Sequence, residues 1–196
     1  MAASCCATSL ISIDRSSWVA VQGPSGSGKT TLFRVLAGIW PFGRGRITLP
    51  GEARVLFLPQ RPYLPARHAA EAAATRKPDA HPQQAFEDAL SACRLAPLRN
   101  RLDESGNWTM TLSIGEQQRM AFAVPCSTGR TSCSSMKATS ALDEATEAEL
   151  YRLLRERLPE AAIISIAHKP AVVRLHDHLI AVSPQGECRQ LQPANP

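Results

Sequence analysis

The sequence has no apolar run approaching the roughly 18 residues that a membrane-crossing helix needs, so no spanning helix is expected within it. Its first residues, "MAASCCATSLISID", lack the basic start and long apolar stretch of a secretory signal. Both absences predict a soluble, cytosolic chain. Its six cysteines, Cys5, Cys6, Cys93, Cys126, Cys133 and Cys188, include no CxxC pair and no Cys/His spacing of a metal site. Reduced thiols are expected, not a metal centre or a disulfide framework. The chain also lacks any block of basic residues: a net charge of +5 comes from arginines scattered along it, which argues against nucleic acid as a partner. There is no internal repeat and no low-complexity tract.

What is present is ordinary globular composition, 44% apolar and 20% charged over 196 residues, enough for one domain with its own core. "WVAVQGPSGSGKTTLFRVLAGIW" reads as a short strand from Trp18 to Val21, a glycine turn, and a helix with Leu32, Val35, Leu36 and Ile39 on one face. Arg54 to Leu58 is a candidate buried strand closed by Pro59. From Tyr63 to Ala123 the chain turns rich in Ala, Arg, Gln and Glu, and Pro65, Pro78, Pro82 and Pro97 cut it into helical pieces. "TEAELYRLLRERL" is an amphipathic helix, and "AAIISIAH" and "HLIAVS" are apolar strands. Strands alternating with helices predict an α/β fold with a parallel-sheet core. The expected division is a core at about 18–61 and 124–196 with a helical subdomain at about 62–123.

Gly23-x-x-x-x-Gly28-Lys29-Thr30 is a complete P-loop, placed after a strand and opening a helix as its chemistry requires. Its glycines let backbone N–H groups wrap phosphates, and the helix N-terminus adds positive potential there. Lys29 is placed to reach the β- and γ-phosphates and Thr30 to hold Mg²⁺. Gly23, Pro24, Ser25, Gly26, Ser27, Gly28, Lys29, Thr30 and Thr31 are thus the candidate nucleotide contacts. A P-loop alone leaves kinases, GTPases and many ATPases open.

"LSIGEQQRMAF", Leu112 to Phe122, resembles the signature segment of ABC-type ATPases. Three weaker pieces follow in that family's order: Gln60 in "LPQRPYLP", "SALD" from Ser140 to Asp143, and His168 after "IISIA". The resemblance covers about Trp18 to the C-terminus and implies an ABC-type P-loop NTPase, with ATP and Mg²⁺ as cofactors. It implies that Ser113 and Gly115 meet the γ-phosphate of ATP held by a second such domain in a head-to-tail dimer, with Glu116 a further nucleotide-binding residue and Asp143 in the dimer-contact loop. It further implies His168 as the switch histidine, and Gln60 as a catalytic and Mg²⁺ residue in the loop that couples ATP to a membrane-spanning partner. The stretches "VQGPSGSGKTTLFRVLAGIWPFGRGRI" and "FLPQRPYLP", with Trp108 ahead of the signature, look most like the ATPase half of fused exporters related to peroxisomal fatty-acyl transporters and their bacterial relatives. On that likeness the chain works at the cytoplasmic face of a membrane, in bacteria the inner membrane, held there by its partner.

One part of the pattern is missing. In such a domain the signature helix leads to an apolar strand ending in Asp-Glu, directly ahead of "ATSALD"; here Met136 and Lys137 stand in those places. Neither can hold Mg²⁺ through water or act as general base for the attacking water. GC-rich codons chosen for Val124 to Lys137, read one base earlier after a C, turn "VPCSTGRTSCSSMK" into "RALLHRPDFLFLDE", the family's expected text for all fourteen residues. This points to two compensating frame errors, near Ala123 and near Lys137. Ala2 to Ser9 can similarly be shifted to a text like "GRVLLRDLS", a first strand; Met1 would then be an artificial start, with the adenine-stacking aromatic and any fused membrane segment lying upstream. With the residues as they stand, "TSCSS" forgoes several apolar side chains at roughly 1.5–3 kcal/mol each, on the order of a whole domain's stability of about 5–15 kcal/mol. Such a chain is expected to bind nucleotide at most. Two alternatives stay open beside an exporter's ATPase domain: a hydrolysis-deficient nucleotide-binding remnant, and a soluble ABC ATPase of DNA repair or translation.

Overall fold

A computed structural model describes residues 11–14, 16–42, 45–48, 55–58, 82–102, 108–128, 132–135, 141–184 and 187–191. The chain divides into two compact units. The first, Met1–Phe57 with Thr131–Met136 and Glu160–Pro196, carries the sheet. Its strands are β1 (Trp18–Gln22), β2 (Val55–Leu58), β3 (Ser132–Ser135), β4 (Ala162–Ile166), β5 (His178–Val182) and β6 (Cys188–Leu191), in the spatial order β2-β3-β4-β1-β5-β6. β1 runs parallel to both β4 and β5, and β3 parallel to β4, while β6 closes one edge antiparallel to β5. Sequence patterning and structure agree on an α/β parallel core.

β1 is apolar from Trp18 to Val21 because it lies between two strands: Trp18, Val19, Ala20 and Val21 are each at most 1% exposed. Val19 and Val21 share a buried cluster with Ile166 of β4, Ile180 and Val182 of β5, and Phe33 of helix α1 (Lys29–Leu36). That shared packing fixes α1 against the sheet. A buried polar tie lies beside it. His176 is 4% exposed, its Nδ1 is 2.8 Å from the Val172 carbonyl, and its Nε2 is 2.5 Å from the Ser165 hydroxyl. Since a carbonyl only accepts, Nδ1 carries a proton and donates to Val172, and Nε2 pairs with the Ser165 hydroxyl. Sequence patterning gave no sign of this second, structural histidine.

The second unit, Leu58–Arg130 with Lys137–Pro159, is helical. It contains α2 (Pro82–Ala92), a 3-10 turn (Ala96–Arg101), α3 (Trp108–Thr111), α4 (Ile114–Thr128) and α5 (Glu144–Arg157). Phe122 of α4 meets Tyr151 of α5 edge to face at 5.5 Å, and both rings are buried. α5 thus packs within the helical unit. Among the described residues no helix is long and apolar enough to cross a membrane.

Candidate nucleotide site

The P-loop leaves β1 at Gln22 and enters α1 at Lys29. Gly23 (φ 154°), Gly26 (φ 80°) and Gly28 (φ 95°) all adopt backbone angles that side chains disfavour. At Gly23 the requirement is also steric, because a Cβ there would lie 2.4 Å from the Val182 carbonyl oxygen and 2.9 Å from Ser27 Oγ. The loop therefore closes tightly over the sheet. Lys29, only 6% exposed, curls back into it and donates from Nζ to the carbonyls of Gly23 at 2.7 Å and Pro24 at 2.6 Å. Ser27 Oγ is buried with no partner among the described residues. Pro24, Ser25, Gly26 and Thr30 face solvent, and Thr31 is half-buried.

At the start of α1 the N-cap is Gly28, with no side-chain cap and no acidic residue in the first turn. The first-turn N–H groups keep their positive potential for an external anion, with an ammonium beside them. The donor set fits a nucleotide's phosphates.

His168 lies at the same end of the sheet, beyond the C-terminus of β4. Val21 of β1 is in register with Ile166 of β4, so Gly23 and His168 each follow two residues beyond paired positions. Gln22 Nε2 donates to the Ala167 carbonyl at 3.2 Å, linking the two strand ends, and His168 is exposed. β3 ends at the same level, with Ser135 opposite Ser165. Gln60, Met136 and Lys137 lie outside the described residues.

Ser113, Gly115 and Glu116 gather in the helical unit at the start of α4. Ser113 caps that helix: Glu116 N–H donates to Ser113 Oγ at 3.3 Å, and Ser113 N–H donates to Glu116 Oε2 at 2.9 Å. The same Oε2 accepts the Ser113 hydroxyl at 2.7 Å. These bonds, the hydroxyl's first, hold the Glu116 carboxyl below its ordinary value. Asp143 plays a similar part in α5, accepting from Thr146 N–H at 2.9 Å and its hydroxyl at 2.7 Å, which lowers its pKa. The "SALD" loop and the start of α4 are joined. Gln118, fully buried, accepts the Ala141 N–H at 3.0 Å, and a Cβ on Gly115 would meet Leu142 at 3.5 Å. Sequence reading missed both the cap and this tie, although Ser-x-x-Glu ahead of an apolar run is a readable capping signal. The Gln118 bond spans 23 residues and has no local signature.

Comparison with known proteins agrees with this geometry. The profile of the ABC transporter family matches residues 8–132. An "Uncharacterized ABC transporter ATP-binding protein" of Haemophilus influenzae is 34% identical over 183 residues, which is 92% of this chain and 31% of that protein. "ABC transporter D family member 2, chloroplastic" of Arabidopsis thaliana is 30% identical, over 83% of this chain and 30% of that protein. Among solved structures, a bacterial Atm1-family ABC exporter with ATP bound aligns with a TM-score of 0.74 at 26% identity, over 89% of this chain and 33% of that one. The chain spans less than a third of the length of these relatives. With the P-loop at one end of the matched segment and the signature helix near the other, this chain belongs to the ABC transporter family, as its nucleotide-binding domain.

Proposed function

We propose that the chain is the ATP-binding domain of an ABC exporter, whose ATP-driven closure against a second such domain moves a membrane-spanning partner. The P-loop carries this reading: a glycine cradle that tolerates no Cβ at Gly23, an uncapped helix start, and Lys29 held within the loop. Lys29 would bind the β- and γ-phosphates, and Thr30 with Gln60 would hold Mg²⁺, whose charge would offset that of the phosphates. His168, exposed beyond β4, would contact the terminal phosphate, and Ser113 with Gly115 would meet the nucleotide of the second copy. The relatives named as ABC transporters and the match to an ATP-bound exporter support this reading over a soluble repair or translation ATPase. The cytoplasmic face of a bacterial inner membrane is the place that such a role implies.

The test is Mg²⁺-dependent nucleotide binding by the purified chain, strongly weakened by K29A, with co-purification of a membrane subunit. Binding that K29A leaves unchanged would contradict the reading.

Observations at 124–137 favour a second reading, that the chain as written binds nucleotide without turning it over. Met136 and Lys137 offer neither a metal-holding carboxylate nor a base. Pro125 sits inside α4, where it removes a ladder hydrogen bond, and the shifted text writes Ala there. β3 spans the four positions Ser132–Ser135, where that text writes Phe-Leu-Phe-Leu, as an interior strand between β2 and β4. A text whose helix former falls on the helix and whose apolar run falls on the strand supports a frame change in the gene. High-accuracy resequencing from upstream of Met1 through the codon for Ala138 decides it: a frame closing on Asp-Glu restores a working ATPase, whereas the printed frame leaves a nucleotide binder.

A further inference from the structure

Two of the described cysteines meet inside the helical unit. α2 packs along α4, and at that contact Cys93, fully buried, and Cys126, 8% exposed, are both free thiols. Their sulfurs are within hydrogen-bonding reach, the Cys93 S–H donating to Cys126 Sγ. The backbone on the Cys93 side is held by a hydrogen-bonded helix end. Cys93 N–H donates to the Ala89 carbonyl at 2.9 Å, the chain turns at Arg94 (φ 58°), and Leu95 N–H returns to the Leu90 carbonyl at 2.8 Å. On the other side, Cys126 lies two turns beyond Arg119 on the same face of α4, and the buried Arg119 Nε has no hydrogen-bond partner among the described residues. The surroundings of the pair are cationic. The Cys126 thiol is held below its ordinary value, first by the Cys93 bond and also by the charge of Arg157 at the end of α5, against the effect of burial. The same bond, with burial, pushes the Cys93 thiol up. Cys126 is thus both the better nucleophile and the more accessible thiol.

We propose that Cys93 and Cys126 form a thiol-oxidation site, at which a low-molecular-weight disulfide converts the pair to a Cys93–Cys126 disulfide joining the end of α2 to α4. The Cys126 thiolate attacks one sulfur of the small disulfide, forming a mixed disulfide and releasing one small thiolate. That thiolate takes the Cys93 proton. Cys93 then attacks Cys126 Sγ and expels the second small thiolate, which takes from solvent the proton that Cys126 had given up. Two protein thiols are oxidised and one small disulfide is reduced to two thiols. Because the protein sulfurs already touch, the bond closes through side-chain rotation. The site belongs to the chain as written and does not depend on nucleotide. The shifted text writes Leu at position 126, so a chain carrying that text has no such pair.

The test treats the full folded chain with oxidised glutathione, blocks the remaining thiols with an alkylating agent, and maps tryptic peptides without reduction. Arg130 separates Cys126 from Cys133, and Cys93 lies on a peptide ending at Arg94, so the link can be assigned. A Cys93–Cys126 link is expected as the main disulfide, removed by dithiothreitol, absent from the chain rewritten at 124–137, and raising the Tm by roughly 5–10 °C. C93S should stop at a glutathione adduct on Cys126, while C126S should leave the fully buried Cys93 unmodified. The site is overturned if wild type yields no Cys93–Cys126 peptide, or if that peptide forms as readily in concentrated urea as in the folded chain. Glutathione uptake at Cys93 in C126S as fast as at Cys126 in C93S would overturn the order of attack.

Discussion

Two helix starts in this chain solve the same problem in opposite ways. α1 begins at a left-handed Gly28 with no side-chain cap and no acid in its first turn, whereas α4 begins at Ser113, whose free donors are taken by Glu116 three residues on. With glycine at the cap, the uncapped start forgoes only about a few tenths of a kcal/mol relative to a capping side chain. Such a start leaves the positive end of the helix without a side-chain partner, and Lys29 is the first residue of that helix. The start of α4 keeps its cap, with the Ser113 N–H and hydroxyl both given to Glu116.

The largest expected effect lies downstream of both. Replacing Val124–Lys137 with "RALLHRPDFLFLDE" should raise Mg²⁺-dependent ATP turnover by roughly 10²–10⁴ and also raise the Tm, since it supplies a base, a metal-holding acid and an apolar strand together. Robust turnover by the unaltered chain would falsify the assignment of these roles to the positions of Met136 and Lys137. Next comes K29A, which removes the charge beside the open start: nucleotide affinity should fall about a hundredfold in an equilibrium titration. A change below threefold would mean that the α1 cradle does not hold the phosphates.

Gly23→Ala tests the loop rather than the charge. With a Cβ 2.4 Å from a backbone carbonyl, the loop must shift, at a cost of about 1–3 kcal/mol read by chemical denaturation. Unchanged stability together with unchanged binding would remove the steric reason for glycine there.

The smallest effects belong to the self-capped starts. Glu116 and Asp143 both have folded-state pKa values below their ordinary 4.5 and 3.8. Each carboxylate thus adds stability that is complete above its ordinary value and is lost as pH falls through its folded-state value. E116Q and D143N should flatten the loss of Tm below about pH 4.5, and D143A should lower the Tm at pH 7 by roughly 2–4 °C. If D143N melts with an unaltered acid limb, the Asp143–Thr146 cap contributes nothing in solution.

Sequence alone determined the parallel α/β core and the P-loop, because both depend on local order: β1 is apolar from Trp18 to Val21, and the glycine spacing follows a strand and opens a helix at once. It also showed that Met136 and Lys137 break the family's pattern, since that is a matter of residue identity. It did not reveal that Ser113 is occupied by Glu116, because Ser-x-x-Glu serves equally as a cap and as part of the signature. It gave no sign of the buried Ser165–His176 pair or of Gln118 holding Ala141. Those bonds join residues 11 and 23 positions apart, and only packing brings them together. Periodicity and spacing record what a residue's near neighbours require. Which polar groups meet inside the fold depends on how the elements pack, and that was decided by the tertiary structure.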